Sequence, residues 1–198
     1  MHMSSRLTIM VLALLGMFGA TAHAQAAADL QAFFDGTQQR LTKIAALPEA
    51  SRRRTCDTLV LDVFDLKALA RAVASAGHWN VMRVETREEL TKAVTGRLSK
   101  ECVALVDRAN PGLARIGRTR DVPGGTRLTV LIPDDQGKER VVVWSLRSGG
   151  RLGWTATDLS VDGRAAAATF RQDFESALSA RPGPVSSAVA YFAAMGTK

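Results

Sequence analysis

Few residues of this 198-residue chain have the types and spacing that covalent or metal chemistry needs. Two of the three histidines, His2 and His23, fall in the N-terminal leader described below, which leaves His78 as the one imidazole available for general acid–base work. It stands beside Trp79 near a helix end, a place where packing or capping is its ordinary use. Asp57, Asp62 and Asp65 form the one carboxylate-rich run, on helical and capping positions without a histidine beside them. Pro123-Gly124-Gly125-Thr126 is rich in glycine, but a strand follows it and not the helix N-terminus that cradles phosphate. Gly-x-Ser-x-Gly elbows and metal-spaced His/Cys/Asp sets are absent from the sequence. A small enzyme would have to use His78, Asp65 or Asp158 inside a pocket. The other classes the chain permits are a carrier of apolar ligand and a protein-binding adaptor.

Cys56 and Cys102 are the only cysteines, and there is no Cys-x-x-Cys to suggest redox catalysis. Cys56 shares an apolar helical stripe with Leu59, Val60 and Val63. Cys102 shares one with Leu90, Val94, Leu98 and Leu105. Two stripes that both face the core can bring the thiols together as a structural disulfide. Two inert buried thiols are the alternative.

The compartment follows from the first residues. Met1–Arg6 is a short basic stretch, Leu7–Ala20 is apolar, and Ala22-His23-Ala24 has the small-x-small form of a cleavage site. This is the pattern of a secretory signal peptide over Met1–Ala24, with an apolar run short of the ~20 residues of a membrane span. The expectation is a single domain over Gln25–Lys198 in an oxidising compartment, which suits a disulfide. The chain's formal charge is +7, and Arg6 belongs to the leader, leaving +6. That excess has two readings, anionic partners with phospholipid headgroups among them, or simply a soluble protein with a positive net charge. Export, and the lack of basic runs interleaved with aromatics, argue against nucleic acid.

The elements that must position these residues come in three blocks. Leu30, Phe33, Phe34, Leu41 and Ile44 predict a helix over Ala26–Leu47, and Pro48 opens a second one carrying Arg52-Arg53-Arg54. Asp65 is placed to cap a helix over Leu66–Ala76, ended by Gly77. Thr86-Arg87-Glu88-Glu89 reads as a capping box opening a helix towards Val106. The period then changes to two. Leu113–Val122, Leu128/Val130/Ile132, the interleaved sets Val141/Val143 and Val142/Trp144/Leu146, and Leu152–Val161 predict four antiparallel strands joined by Gly-rich turns. Helices over Arg164–Ala180 and Pro184–Ala194 close the chain. The class is α+β, a sheet of about four strands clasped by N-terminal and C-terminal helices. The Ala165–Ala168 run puts small side chains where a helix leaves the sheet. Either that helix packs close to the strands, or an apolar ligand fills the missing volume.

One stretch carries a more specific signal. Trp154, Asp158, Val161-Asp162-Gly163, Phe170-Arg171 and Phe174 stand at the spacings of the C-terminal signature of the MlaC-like periplasmic lipid-binding proteins, the toluene-tolerance or ABC-transport auxiliary family. Phe64-Asp65, leading a helix to Trp79, matches a second part of the pattern. The chain resembles this family from about Leu30 to Met195. The resemblance implies a twisted sheet around an apolar cavity and a periplasmic carrier, not an enzyme. Its cargo would be a phospholipid, or a hopanoid or sterol-like lipid in the hopanoid-associated branch, and it implies no cofactor or metal. Its implied partners are an inner-membrane ABC transporter with an MCE-domain protein and an outer-membrane lipoprotein complex. On this reading Val130, Ile132, Val141, Val143, Trp154 and Phe174 are the expected lipid-binding residues. Arg171 is expected to rivet its helix by pairing with a carboxylate such as Asp158, and Arg164 or Arg52–Arg54 to attract a phosphate.

Overall fold

The structure is a computed structural model that describes residues 26–195. The signal peptide expected over Met1–Ala24 lies outside the described residues. Helix α1 covers residues 26–45, followed by α2 (Glu49–Val63), α3 (Leu66–Val81) and α4 (Val84–Arg108). A short 3-10 turn, Pro111–Leu113, leads into β1 (Arg115–Val122), β2 (Gly125–Pro133), β3 (Glu139–Ser148) and β4 (Trp154–Val161). A two-residue β5 (Arg164–Ala165), α5 (Ala166–Ala180) and α6 (Val185–Met195) complete the order. The sheet is an antiparallel meander in the order β1-β2-β3-β4-β5, so the expected four strands are present with a short fifth added.

The fifth strand exists because of the Asp-Gly turn. Asp162 (φ 50) and Gly163 (φ 82) both adopt positive φ, as a tight hairpin turn requires. They return the chain along β4 for the pairs Ser160↔Ala165 and Val161↔Arg164. The last helix pair therefore begins at Ala166 and not at Arg164. The Asp162 carboxylate accepts from the Val141 N–H at 3.0 Å and from Arg140 Nε at 2.6 Å. The Val141 N–H is the chief reason this carboxyl sits below the usual aspartate range; slight desolvation opposes it, and Arg140 and Lys138 add to it. A depressed folded value means that the stabilisation is present above the unfolded value of about 3.9 and is lost as pH falls through the folded one. Asp162→Asn keeps the turn, since Asn tolerates positive φ. It should lower stability at neutral pH and flatten the loss below pH about 4. Urea titrations over a pH series would measure this, and an unchanged acid slope would overturn it.

Two apolar cores share the molecule. One packs α3, α4, α5 and α6 around Leu69, Val73, Leu90, Val94, Phe174 and Phe192. The other packs α1, α2 and the end of α4 on one face of the sheet, around Phe33, Ile44, Leu128, Val130 and Val142. Cys56 and Cys102 are bridged, tying α2 to α4 with Cα atoms 5.9 Å apart. Gly125 marks the tightest approach within the sheet: a Cβ there would lie 2.0 Å from the Leu146 carbonyl oxygen.

Two helix boundaries differ from the sequence reading. α3 does not stop at Gly77 but kinks at Ser75 (φ 63, ψ 162) and runs on to Val81. α4 begins at Val84 behind Arg83, so Thr86 lies inside it, buried, and is not its cap. Asp65 caps α3 as expected, accepting from the Ala68 N–H at 2.9 Å.

Candidate apolar binding seam

α1 is amphipathic in the simplest way, with Leu30, Phe33, Phe34, Thr37, Leu41 and Ile44 buried at helical spacing. That stripe lies on the face of the sheet formed by alternate residues of β2 and β3. In the ladder Leu128 is opposite Trp144, and Val130 is opposite Val142. Between helix and sheet runs an apolar seam. Its walls are Phe33, Phe34, Thr37, Gln38 and Leu41 from α1, Leu128, Val130 and Ile132 from β2, and Val142 and Trp144 from β3. Leu105, Pro111 and Ala114 close one end. Phe33 meets the Trp144 ring edge-on with centroids 6.1 Å apart, and Phe64 reaches the same ring at 5.7 Å. The enclosed space is about 20 Å³, far below the few hundred Å³ of an occupied small-molecule site. In this conformation the seam is a closed contact. Gln38 (to the Gly112 and Ala114 carbonyls) and Arg40 (to Asp62) fasten the C-terminal half of α1, while Leu30, Phe33 and Phe34 lay an apolar face from its N-terminal half. A wider recess of about 430 Å³ between α4 and α6 is open and carries Arg53, Glu89, Lys92 and Arg97. Its charges make it a poor container for hydrocarbon.

Of the six expected lining residues, Val130 and Ile132 are in the seam wall. Val141 and Val143 pair with Leu131 and Thr129, on the opposite face of the sheet, and Val142 and Trp144 take the inward positions instead. Both sets on β3 are apolar, so alternation alone did not distinguish them. Trp154 is buried in the sheet core at the start of β4, next to the seam but outside its lining. Phe174 lies in the other core, edge-on to Phe192 at 5.8 Å and to His78 at 6.3 Å. Missed by the sequence reading were Thr37 and Gln38, two polar positions within the α1 stripe.

The signature residues hold the helices in place, by contacts other than the expected pair. Arg171 does not meet Asp158. Asp158 accepts from its neighbour Leu159 N–H at 2.8 Å and from the Ala167 N–H at 3.1 Å, so it caps α5, whose own N-cap, Ala165, has no side chain to do so. Arg171 donates two hydrogen bonds to the Ala72 carbonyl, at 2.9 and 2.6 Å. The Ser75 kink interrupts the helical ladder just beyond Ala72, and a guanidinium there also opposes the local helix dipole. Arg171→Ala should cost about 1 kcal/mol at this exposed site, a fall of about 3 °C in melting temperature. An unaltered melt, followed by calorimetry, would remove the structural role.

The candidate catalytic groups are dispersed. Asp65 caps α3 and binds Arg147 at 2.7 Å, His78 lies 3.4 Å from Ser75 Oγ, and Asp158 caps α5. None of the three lines the seam. Among the basic residues expected at a mouth, Arg52 binds Asp107 and the Ala45 and Leu47 carbonyls, and Arg53 binds Asp57 and the Gly96 carbonyl. Arg54 and Arg164 are exposed.

Fold and site together define an α+β protein, an antiparallel sheet with helices packed over one apolar face. The family model of the MlaC protein matches residues 31–189, and the chain belongs to that family. No curated protein matches it. Among solved structures it is similar to the phospholipid-binding protein from Ralstonia solanacearum, determined in complex with a phospholipid. The TM-score is 0.68 at 14% identity, covering 86% of this chain and 98% of that one. At that identity the likeness is one of fold.

Proposed function

We propose that this protein is a periplasmic lipid carrier whose single domain, Gln25–Lys198, takes phospholipid acyl chains into the seam beneath α1. The observation that carries the reading is the seam itself: a helix whose buried stripe meets an apolar sheet face, in a chain of the MlaC family. Each buried methylene contributes about 0.8 kcal/mol, so two acyl chains supply the affinity without any reacting group. Part of that gain offsets the separation of α1 from the sheet. The phospholipid complex of the Ralstonia solanacearum protein supports this cargo class. The family resemblance supports exchange with an inner-membrane ABC transporter bearing an MCE-domain protein and with an outer-membrane lipoprotein complex. Solvent extraction of the protein, purified from a periplasmic fraction without detergent, followed by mass spectrometry, should recover diacyl phospholipid. The same spectrum distinguishes a hopanoid cargo. Protein that yields no lipid and takes none from liposomes would sink the proposal.

A further inference from the structure

The face of the sheet turned away from α1 carries arginines that the fold does not use. Alternation along β1, β2 and β3 sends Arg118, Arg120, Arg127, Leu131, Val141 and Val143 to that side. Arg120 stands directly opposite Arg127 in the ladder, and Arg118 is two residues further along β1, opposite Thr129. All three side chains are exposed and have no hydrogen bond or ion pair among the described residues. Their neighbours differ: Arg115 is neutralised by Glu139 at 2.7 Å, and Arg147 by Asp65 at 2.7 Å.

Like charges directly opposite one another weaken a sheet. On the edge strand β1, charge has a structural use, since it discourages strand addition. That explains Arg118 and Arg120 but not Arg127, which lies on the inner strand β2. The Arg120–Arg127 pair therefore carries a like-charge cost that no contact within the described residues returns.

We propose that this face docks on the surface of an anionic phospholipid bilayer. Arginine forks match phosphate oxygens, and three unpaired forks on one sheet face present them together. A shaped protein partner normally offers or receives buried aromatic anchors. Here Trp144 faces the other way; the residue among the arginines is Thr129, and beside them on this face lie only the aliphatic Leu131, Val141 and Val143. Such a face suits a fluid charged surface better than a fitted pocket. Docking of this kind does not depend on whether the seam holds a lipid.

Cosedimentation of the purified protein with vesicles tests it. Binding should occur with mixed phosphatidylglycerol/phosphatidylcholine vesicles, not with phosphatidylcholine alone, and should fade as salt shortens the Debye length from ~10 Å at 0.1 M to ~3 Å at 1 M. Each arginine contributes about fivefold in partitioning, so changing Arg118, Arg120 and Arg127 together to Ser should weaken binding about a hundredfold. The same variant should melt no lower than the parent, because a like-charge pair is relieved. A control removing three exposed charges elsewhere, Lys67→Ser, Arg83→Ser and Arg108→Ser, should retain most of the binding. Equal losses in the two triple variants would reduce the effect to net charge and overturn the assignment. Absence of binding to anionic vesicles would overturn it too, leaving an acidic protein as the occupant of the face.

Discussion

Reduction of the Cys56–Cys102 bridge should lower the stability of this protein by about 4 kcal/mol. The bridge closes a segment of sequence separation 46, and the chain-entropy model assigns that much to a loop of this length. For a protein of this size the loss corresponds to a fall of about 10 °C in melting temperature. Its position makes the effect global. Cys56 is fully buried on α2, and the bond joins α2 to α4, each of which contributes to both cores. Calorimetry of the oxidised protein, the reduced protein and a Cys56→Ala/Cys102→Ala variant would measure it. The variant should match the reduced protein. Equal melting of oxidised and reduced forms would show that the helices hold α2 and α4 together unaided.

Phe174→Ala should be as costly, about 4 kcal/mol, within the range of buried Phe→Ala changes. Phe174 is 1% exposed, and its ring is clasped by Phe192 and His78. Removing it opens a cavity in the α3–α6 core that it shares with Leu69, Val73 and Ala177. The functional outcome separates two roles. Phe174 belongs to the helical core and the seam to the sheet core, so the lipid recovered per folded molecule should not change. Denaturant titration gives the stability, and extraction from the folded fraction at low temperature gives the occupancy. Loss of lipid from a still-folded variant would make Phe174 a wall of the ligand site.

How much of this was legible from residues alone varies with the range of the interactions involved. The Asp65 cap depends on atoms within three residues, and it was readable. So were the Asp-Gly turn, the alternation of the strands and the stripes that bring Cys56 and Cys102 inward. The signature spacing led to the right family, although not to the contacts its residues make. Asp158 and Arg171 stand where the signature puts them, but they cap separate helix ends, because α3 kinks at Ser75 and α5 starts at an alanine. A kink and a missing cap are compensated by groups distant in sequence, Ala72 lying 99 residues from Arg171, and no local pattern records that.

The sequence by itself determined the α+β class, the order of the main elements and the two inward-facing cysteines. Each follows from periodicity, turn chemistry or residue type, which act over a few positions. The tertiary structure alone decided which face of β3 is inside. Val141/Val143 and Val142/Trp144 are both apolar, and only the docking of α1 on the second set breaks the tie. That docking also closed the seam to about 20 Å³ and left Arg118, Arg120 and Arg127 together on the open side of the sheet, while the packing of α3–α6 took Phe174 into the other core.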